Sequence, residues 1–216
     1  MLKFVELNSK EGEQFLKKSL YESYCLNSLN KTIKRQLTEY TCGISSLSAI
    51  SNAWYLENNA EKCPLGRKLP YDEEVFTPKF YELKPLLHEG ININELSRLI
   101  NNTFGNAIRV DKKLCTEEMT IDLFKSDIIK SVKSSCQTIV ILNYLLNSIC
   151  DEWLPFGHFS PISAYEEISE IILIADTYMP SYWVSVNDMF KAIDTVDPDS
   201  NHKRGYLLLT WQIALK

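Results

Sequence analysis

The sequence predicts an α+β fold, with a helical N-terminal half and a mostly antiparallel sheet in the C-terminal half. In residues 1–135, approximately, apolar side chains recur at the three- and four-residue spacing of amphipathic helices. In residues 136–216 the pattern changes to β-branched or alternating runs bounded by turn or charged residues. Helices followed by strands are typical of the α+β class. Because no convincing linker divides the chain, we expect a single domain over residues 1–216.

Five helices are predicted in the first half. The first lies in "NSKEGEQFLKKSLYESY", where Asn8 or Ser9 can cap a segment with acidic residues in its first turn. The second runs from Cys42 to Tyr55, with its apolar residues on one face. A turn-rich loop over 57–74 follows it. The remaining helices are expected over Thr77–His88, Asn92–Phe104 and about Glu117–Ser131.

Four strands are predicted in the second half. They lie in "QTIVILNYL", "GHFSPISAYEE", "SEIILIADTY" and "RGYLLLTWQIAL". The middle two are joined by a short acidic link at Glu166 and Glu167, which indicates a hairpin. A helix over Ser185–Ile193 precedes the final strand.

Charge and hydropathy argue against two classes of partner. The formal net charge is −5, and no arginine-rich stripe is present, so nucleic acid is not an expected partner. No apolar run approaches the roughly 18 residues of a membrane helix, so a membrane is not expected either. The N-terminus has no secretory signal pattern, which predicts a cytoplasmic location. A secretion route that reads no N-terminal signal stays open.

Cysteine spacing predicts neither a disulfide framework nor a metal site. The chain has six cysteines, and in a chain of this length without a secretory signal we expect free thiols. No CxxC pair or cysteine–histidine cluster has the spacing of a zinc site. We therefore expect no bound metal.

One set of residues has the chemistry of a thiol nucleophile. Cys42 starts an apolar helix whose dipole would stabilise a thiolate, and His158 lies 18 residues before Asp176 on what would be adjacent antiparallel strands. Gln36 precedes the cysteine by six residues and could donate to an oxyanion, and Gly43 would let a substrate approach the backbone. Each residue also has a structural interpretation, as a packed thiol, a core or surface histidine, or a turn-forming carboxylate.

The segments around these residues resemble the phytochelatin synthase family, of the papain-like cysteine peptidase clan. "YTCGISSLSAISNA" is similar to the family's cysteine motif, and "GHFSPISAYEEISEIILIADTYMPSYWV" to its histidine-to-aspartate segment. "MFKAIDTVD" and "KRGYLLLT" resemble the helix and strand that close that domain. The resemblance implies a papain-like fold, with a helical N-terminal lobe packed on the sheet, in a short bacterial-type form with the catalytic domain only.

The resemblance implies a role for each reactive residue. Cys42 would attack the bond between cysteine and glycine in glutathione, giving a γ-Glu-Cys acyl-enzyme and releasing glycine. His158 would act as general base and later as acid, Asp176 would orient it, and Gln36 would donate to the oxyanion. Hydrolysis would come first and transpeptidation to phytochelatins second.

The resemblance also implies a γ-glutamyl site. Asp197 would pair with the amine of that group and Arg204 with its carboxylate, which the guanidinium can bind bidentately. Without the resemblance, "DPDSNHKR" would be interpreted as a solvated turn. Two departures bear on substrate binding. The family arginine after the strand tyrosine is Leu146 here, which would weaken the hold on a substrate carboxylate, and "DTYMPSYW" is about three residues short, which affects the expected binding of the acceptor.

Partners and cofactors follow from the same resemblance. The partners would be glutathione and γ-Glu-Cys peptides, with a homodimer as a further expectation. No cofactor would be bound by the protein, but soft metal ions such as Cd, Zn or Cu would take part as metal–glutathione thiolate co-substrates.

Two alternatives stay open at this point. A papain-like peptidase or isopeptidase acting on a protein substrate would use the same three side chains as the glutathione enzyme. A thiol-rich metal-binding or redox protein would use the other five cysteines, although their scattered spacing does not favour it.

Overall fold

A seven-stranded antiparallel sheet organises the protein. The computed structural model describes residues 4–19, 26–58, 71–83 and 89–212. The strands of the sheet are β1 (Phe4–Glu6), β2 (Ile108–Leu114), β3 (Thr138–Leu145), β4 (Gly157–Glu166), β5 (Ile171–Ile174), β6 (Tyr182–Ser185) and β9 (Gly205–Trp211), in the spatial order β1-β6-β5-β4-β3-β9-β2. Between β6 and β9 in sequence, β7 (Val196–Asp197) and β8 (His202–Lys203) form a separate hairpin. Within the described ranges, every strand pair is antiparallel.

Seven α-helices accompany the sheet within the described residues. They are α1 (Lys10–Ser19), α2 (Leu26–Thr32), α3 (Cys42–Asn58), α4 (Thr77–Leu83), α5 (Ile93–Phe104), α6 (Ile121–Val132) and α7 (Val186–Ile193). The α+β prediction is confirmed.

Capping side chains explain where the predicted helices begin. Ser9 accepts a hydrogen bond from the backbone N–H of Gly12, and Asn92 with Glu95 forms a capping box. Thr120 accepts from the N–H of residue 123 and so starts α6 at Ile121, about four residues later than predicted. The turn-rich loop over 57–74 lies mostly outside the described residues, as do the predicted ends of the first and third helices.

The division into a helical and a sheet half is wrong in one respect, because strands β1 and β2 come from the first 135 residues. Strand β2 pairs with β9 along its whole length and forms an edge of the sheet. Its sequence, "IRVDKKL", alternates apolar and charged residues only over its first four positions, because three charged residues follow one another at 111–113, so the strand period is weak. Strand β1 has only three residues, too few to give a period.

Helix α3 is more deeply buried than its pattern predicted. From Cys42 to Tyr55 every residue is buried, not only one apolar face. The hydroxyl groups of its serines hydrogen-bond to backbone carbonyls within the protein. Ser46, for example, donates to the carbonyl of Phe159 in β4 at 3.1 Å. The N-terminal turns of α3 therefore pack against β4, the strand that contains His158.

The sheet separates two apolar clusters. Strand β3 alternates between them, with Ile139 and Ile141 packing toward α3 and α5, and Val140 and Leu142 packing toward α6 and α7. No described helix is both long enough and apolar enough to span a bilayer.

The prediction that the cysteines are free thiols is only partly confirmed. Cys42, Cys115 and Cys150 are free and buried. Cys136 is disulfide-bonded, so the expectation is wrong for that residue. The remaining two, Cys25 and Cys63, lie outside the described residues.

Candidate active site

Cys42 is the first residue of α3, at the end of a tight polar turn. In that turn the hydroxyl of Thr41 accepts from the backbone N–H of Thr38 at 3.2 Å and donates to the Thr38 carbonyl at 3.1 Å. The carbonyl of Thr41 accepts the first helical hydrogen bond, from the N–H of Ser45 at 2.9 Å. The thiol thus sits where unpaired backbone N–H groups and the helix dipole favour negative charge.

The sheet brings His158 and Asp176 together as the sequence predicted. His158 is the second residue of β4, and Asp176 lies two residues beyond β5, which pairs with β4. Nε2 of the imidazole lies 3.1 and 3.2 Å from the two carboxylate oxygens. The Cys42 thiol faces the same imidazole and contributes to the raised pKa of His158. Since Asp176 occupies Nε2, Nδ1 is the nitrogen left for sulfur.

The three side chains form a buried charged site. Burial lowers the pKa of His158, but the carboxylate of Asp176 and the contact with Cys42 outweigh burial and raise it to about 10. Burial raises the pKa of Asp176, yet the imidazole and the backbone N–H groups of Tyr178 and Met179 hold it below its ordinary value. An imidazolium beside the carboxylate of Asp176 is therefore favoured.

This ion pair predicts a pH-dependent stability. The pKa of His158 is about 10 in the native protein, against an ordinary value of 6.5. Its contribution to the free energy of unfolding is thus complete below pH 6.5 and is lost as the pH rises through 10. Urea unfolding of the wild type and of His158→Gln should show a difference in unfolding free energy that shrinks between pH 7 and pH 10. A constant difference over that range would contradict the assignment.

Gln36 ties the cysteine turn to the segment after Asp176. Its backbone N–H donates to the carbonyl of Thr177 at 2.7 Å, and its side-chain oxygen accepts from the Thr177 hydroxyl at 2.9 Å. The amide nitrogen donates to the carbonyl of Thr38 at 2.8 Å. One of the two N–H groups of that amide is therefore engaged inside the turn, which leaves one for a ligand.

A cavity of about 430 Å³ opens beside Cys42. Its described lining residues are Glu39, Tyr40, Cys42, Glu89, Gly90, Ile91, Asn143, Pro155, Phe156, Gly157, Asp197, Pro198, Asp199 and Arg204. Gln36 and Gly43 are not among them. Asp197 and Arg204, predicted from the resemblance, share this cavity with the candidate nucleophile.

Asp197 and Arg204 form a buried ion pair. A guanidinium nitrogen lies 3.5 Å from the carboxylate, and 3% of the Arg204 side chain is exposed. The same guanidinium donates to the carbonyl of Val196 at 2.6 Å, and a Cβ on Gly157 would lie 2.9 Å from it. The interpretation as a solvated turn is therefore wrong for this pair, although Asp199 between them is exposed.

Gly43 has a packing role. A Cβ at this position would lie 3.2 Å from the side chain of Ile91 and 3.5 Å from that of Phe159. The absence of a side chain lets α3 approach β4 closely. The close packing of α3 against Ile91 and Phe159 therefore explains the glycine at position 43, and the predicted substrate-binding role does not, because Gly43 does not line the cavity.

Asn143 is a cavity residue that the sequence analysis missed. It lies in β3, is 4% exposed, and its side-chain oxygen has no hydrogen-bond partner among the described residues. The Nε nitrogen of Arg204 is likewise unpartnered there. A polar residue inside the otherwise apolar run "TIVILNYL" was the available signal, since a buried amide needs a partner. The pair offers a ligand one acceptor and one donor.

The described residues include no group of three or more histidine, cysteine, aspartate or glutamate side chains placed to hold a metal ion. The described part of the site supplies a thiol, an imidazole, carboxylates, amides and a guanidinium.

Comparison with known proteins places this arrangement in a family. The sequence model of the family described as "Phytochelatin synthase" matches residues 2–206. The chain is similar to a glutathione gamma-glutamylcysteinyltransferase of Schizosaccharomyces pombe (strain 972 / ATCC 24843), with 27% identity over 94% of this chain and 48% of the relative. It is also similar to glutathione gamma-glutamylcysteinyltransferase 2 of Arabidopsis thaliana, with 24% identity over 95% of this chain and 44% of the relative. The chain spans about half the length of these curated relatives or slightly less. With a family match over nearly its whole length, the chain belongs to the phytochelatin synthase family.

Proposed function

We propose that the protein is a thiol acyl-transfer enzyme that cleaves the Cys–Gly bond of glutathione and releases glycine. The observation that carries the proposal is that one cavity is lined by Cys42, Asp197 and Arg204, with the imidazole of the His158–Asp176 pair facing the thiol. A candidate nucleophile and a pair of opposite charges, which a γ-glutamyl group could bind, therefore line the same cavity. The names of the relatives quoted above point to the same substrate.

The first half-reaction forms a thioester. The thiolate of Cys42 attacks the cysteinyl carbonyl carbon of glutathione, forming the C–S bond and an oxyanion. The backbone N–H of Cys42 and the free N–H of Gln36 are the proposed donors to that oxyanion. The imidazolium of His158 gives its proton to the glycine nitrogen as the C–N bond breaks, so that glycine leaves as a neutral amine.

The second half-reaction divides between two acceptors. Water, deprotonated by neutral His158, hydrolyses the thioester to γ-Glu-Cys and regenerates the thiol. Alternatively, the free amine of a second thiol-bearing peptide takes the acyl group and extends the chain to (γ-Glu-Cys)n-Gly. We propose hydrolysis as the main reaction.

Asp197 and Arg204 are proposed to hold the γ-glutamyl group. The ammonium of that group would replace the guanidinium at Asp197, and its carboxylate would bind Arg204, whose Nε is unpartnered among the described residues. The unpartnered oxygen of Asn143 would accept a hydrogen bond from a substrate N–H. The three side chains thus match the donors and acceptors of the acyl portion.

Arg204→Lys should raise the KM for glutathione about tenfold with a smaller effect on kcat, since lysine keeps the charge but lacks the planar fork. Initial rates of glycine release measure both constants. Lys203→Gln is the matched control, because Lys203 carries its charge on the neighbouring residue and pairs with Asp194 outside the cavity at 2.6 Å. A KM that changes equally in both variants would contradict the assignment of the γ-glutamyl carboxylate to Arg204.

We propose that soft metal ions such as Cd, Zn or Cu act here as substrates, bound to the thiolates of glutathione, and not as a cofactor of the protein. A cytoplasmic location, expected from the lack of a secretory signal pattern, and a homodimer are further proposals, and neither nucleic acid nor a membrane is a proposed partner. Glycine release with and without a stoichiometric soft metal tests the co-substrate role.

A second candidate is a peptidase acting on a protein substrate. The apolar side chains of Leu154 and Phe156 are 49% and 55% exposed, and Phe156 lines the cavity. Such a rim could hold an extended peptide. Cleavage of an internal peptide that lacks a γ-glutamyl group, at a rate matching glutathione, would favour this candidate and would leave Asp197 and Arg204 without their proposed role.

A further inference from the structure

Two hydroxyl groups converge on the catalytic carboxylate from the side away from the thiol. The Tyr144 hydroxyl donates to Oδ2 of Asp176 at 3.0 Å, and the Ser160 hydroxyl donates to the same oxygen at 3.1 Å. Both residues are fully buried, on neighbouring strands β3 and β4. The oxygen that contacts His158 at 3.2 Å is therefore also bound by two neutral donors.

A third hydroxyl extends the chain. The hydroxyls of Tyr182 and Tyr144 lie 2.8 Å apart. Because the single hydroxyl proton of Tyr144 is directed to Asp176, Tyr182 must be the donor to Tyr144. The rings of Phe4 and Trp153 pack on the ring of Tyr182, with centroids 5.5 and 5.3 Å away. Tyr144, Ser160 and Tyr182, called here the hydroxyl network, are thus closed off from water.

The groups that titrate around Asp176 are few in the described part of the chain. His158 faces it from β4, Tyr144 from β3 and Tyr182 from β6. Cys42 of α3 and the ring of Tyr178, whose centroid lies 6.4 Å from that of the imidazole, face His158. Burial, followed by the charge of Asp176, raises the pKa of both phenols well above their ordinary range. They remain protonated, and so remain donors, throughout the working range of an enzyme.

We propose that Tyr144 and Ser160 are positioning residues that spread the negative charge of Asp176, so that His158 can release its proton when the acyl-enzyme is hydrolysed. Tyr182 supports them by fixing the direction of the Tyr144 hydroxyl. This inference rests on the proposed acyl-transfer function.

The second half-reaction explains why the negative charge of Asp176 has to be spread. To activate water, His158 must be neutral, but a buried carboxylate beside it favours the imidazolium. Each hydrogen bond donated to that carboxylate stabilises its charge locally and weakens its hold on the imidazole proton. Loss of one hydrogen bond to a charged group is expected to change the pKa of the imidazole by about one unit, which is about tenfold in the neutral fraction.

Tyr144→Phe removes one donor from Asp176 without changing the ring. The ascending limb of the pH profile for steady-state hydrolysis should move upward by about one unit, and turnover at pH 7 should fall about tenfold. The first turnover, seen as a burst of glycine, should persist, because attack uses the imidazolium. Ser160→Ala should act in the same direction.

Tyr206→Phe is the matched control. Tyr206 is equally buried, and its hydroxyl donates to Oδ2 of Asp127 at 2.8 Å, outside the site. The Tyr206→Phe protein should be less stable than the wild type, but its pH profile for steady-state hydrolysis should not shift. An unmoved profile in Tyr144→Phe, or an equal shift in Tyr206→Phe, would overturn the proposal.

A second readout separates this inference from the proposed function. The chain has only three histidines, so NMR titration of the ring signals can follow His158 without substrate. Tyr144→Phe should raise the pH at which this ring loses its proton, and Tyr206→Phe should not. If that shift occurs but the wild type releases no glycine, the charge-spreading role stands and the glutathione activity fails. If the ring titrates identically in all three proteins, the role of the hydroxyl network is wrong whatever the substrate.

Discussion

Cys42→Ser should lower the rate of glycine release from glutathione by about 10³-fold or more. The structure gives the reason: the sulfur lies at the N-terminus of α3 and faces an imidazole whose pKa the carboxylate of Asp176 raises. The helix N-terminus and the imidazolium favour negative charge on the sulfur, whereas a serine hydroxyl is too weak an acid to ionise in the same place. Rates are measured by quantifying glycine over time.

Cys115→Ser is the control for that experiment. Cys115 is also free and buried, but burial, with a contribution from Asp194, raises the pKa of its thiol to about 11. It therefore stays protonated and should be dispensable for activity. Alkylation with iodoacetamide at pH 7 should modify Cys42 in preference to Cys115. Equal losses of activity in the two serine variants would show that neither thiol is a specific nucleophile.

Asp176→Asn is expected to cause the second large loss, about 10³-fold to 10⁴-fold in kcat. The carboxylate accepts hydrogen bonds from His158, Tyr144, Ser160 and two backbone N–H groups. An asparagine NH₂ group would meet donors instead of acceptors on at least one side. The imidazole would lose its orientation and the charge that keeps it protonated.

The same substitution should also destabilise the protein, by about 3 kcal/mol, because it leaves buried donors unpaired. Denaturant unfolding and kinetics at low temperature separate the two effects. Asp127→Asn serves for comparison, since Asp127 accepts from Tyr206 and lies 3.5 Å from Lys113, away from the cavity. If Asp176→Asn keeps kcat within tenfold of the wild type, the orienting role is wrong.

The local pattern made Cys42, His158 and Asp176 candidates and predicted that the last two meet, while their proposed roles came from the family resemblance. Cys42 follows a polar turn and starts an apolar run, and the 18 residues between His158 and Asp176 fit two antiparallel strands with a short link. Strand pairing over so short a separation leaves little choice of register. The sequence could therefore predict that these side chains meet, although it could not supply the distances.

Other features depend on contacts distant in sequence. The turn that holds Asp197 and Arg204 has the composition of a solvated loop, and only its packing against Gly157 and the cavity buries the pair. Asn143 lies in an apolar strand, and nothing local shows that its oxygen faces a cavity. Strand β2 owes its conformation to its pairing with β9, since tertiary pairing overrides weak local preference.

In the mechanism that we propose, a γ-Glu-Cys group becomes attached to Cys42 while glycine leaves. The direct test is to quench the protein with acid during turnover of glutathione and to locate the modification by mass spectrometry of its peptides. We expect a γ-Glu-Cys adduct on the peptide containing Cys42, formed with one glycine per adduct and absent in Cys42→Ser. Glycine release without an adduct on Cys42, or an adduct on another residue, would contradict the mechanism.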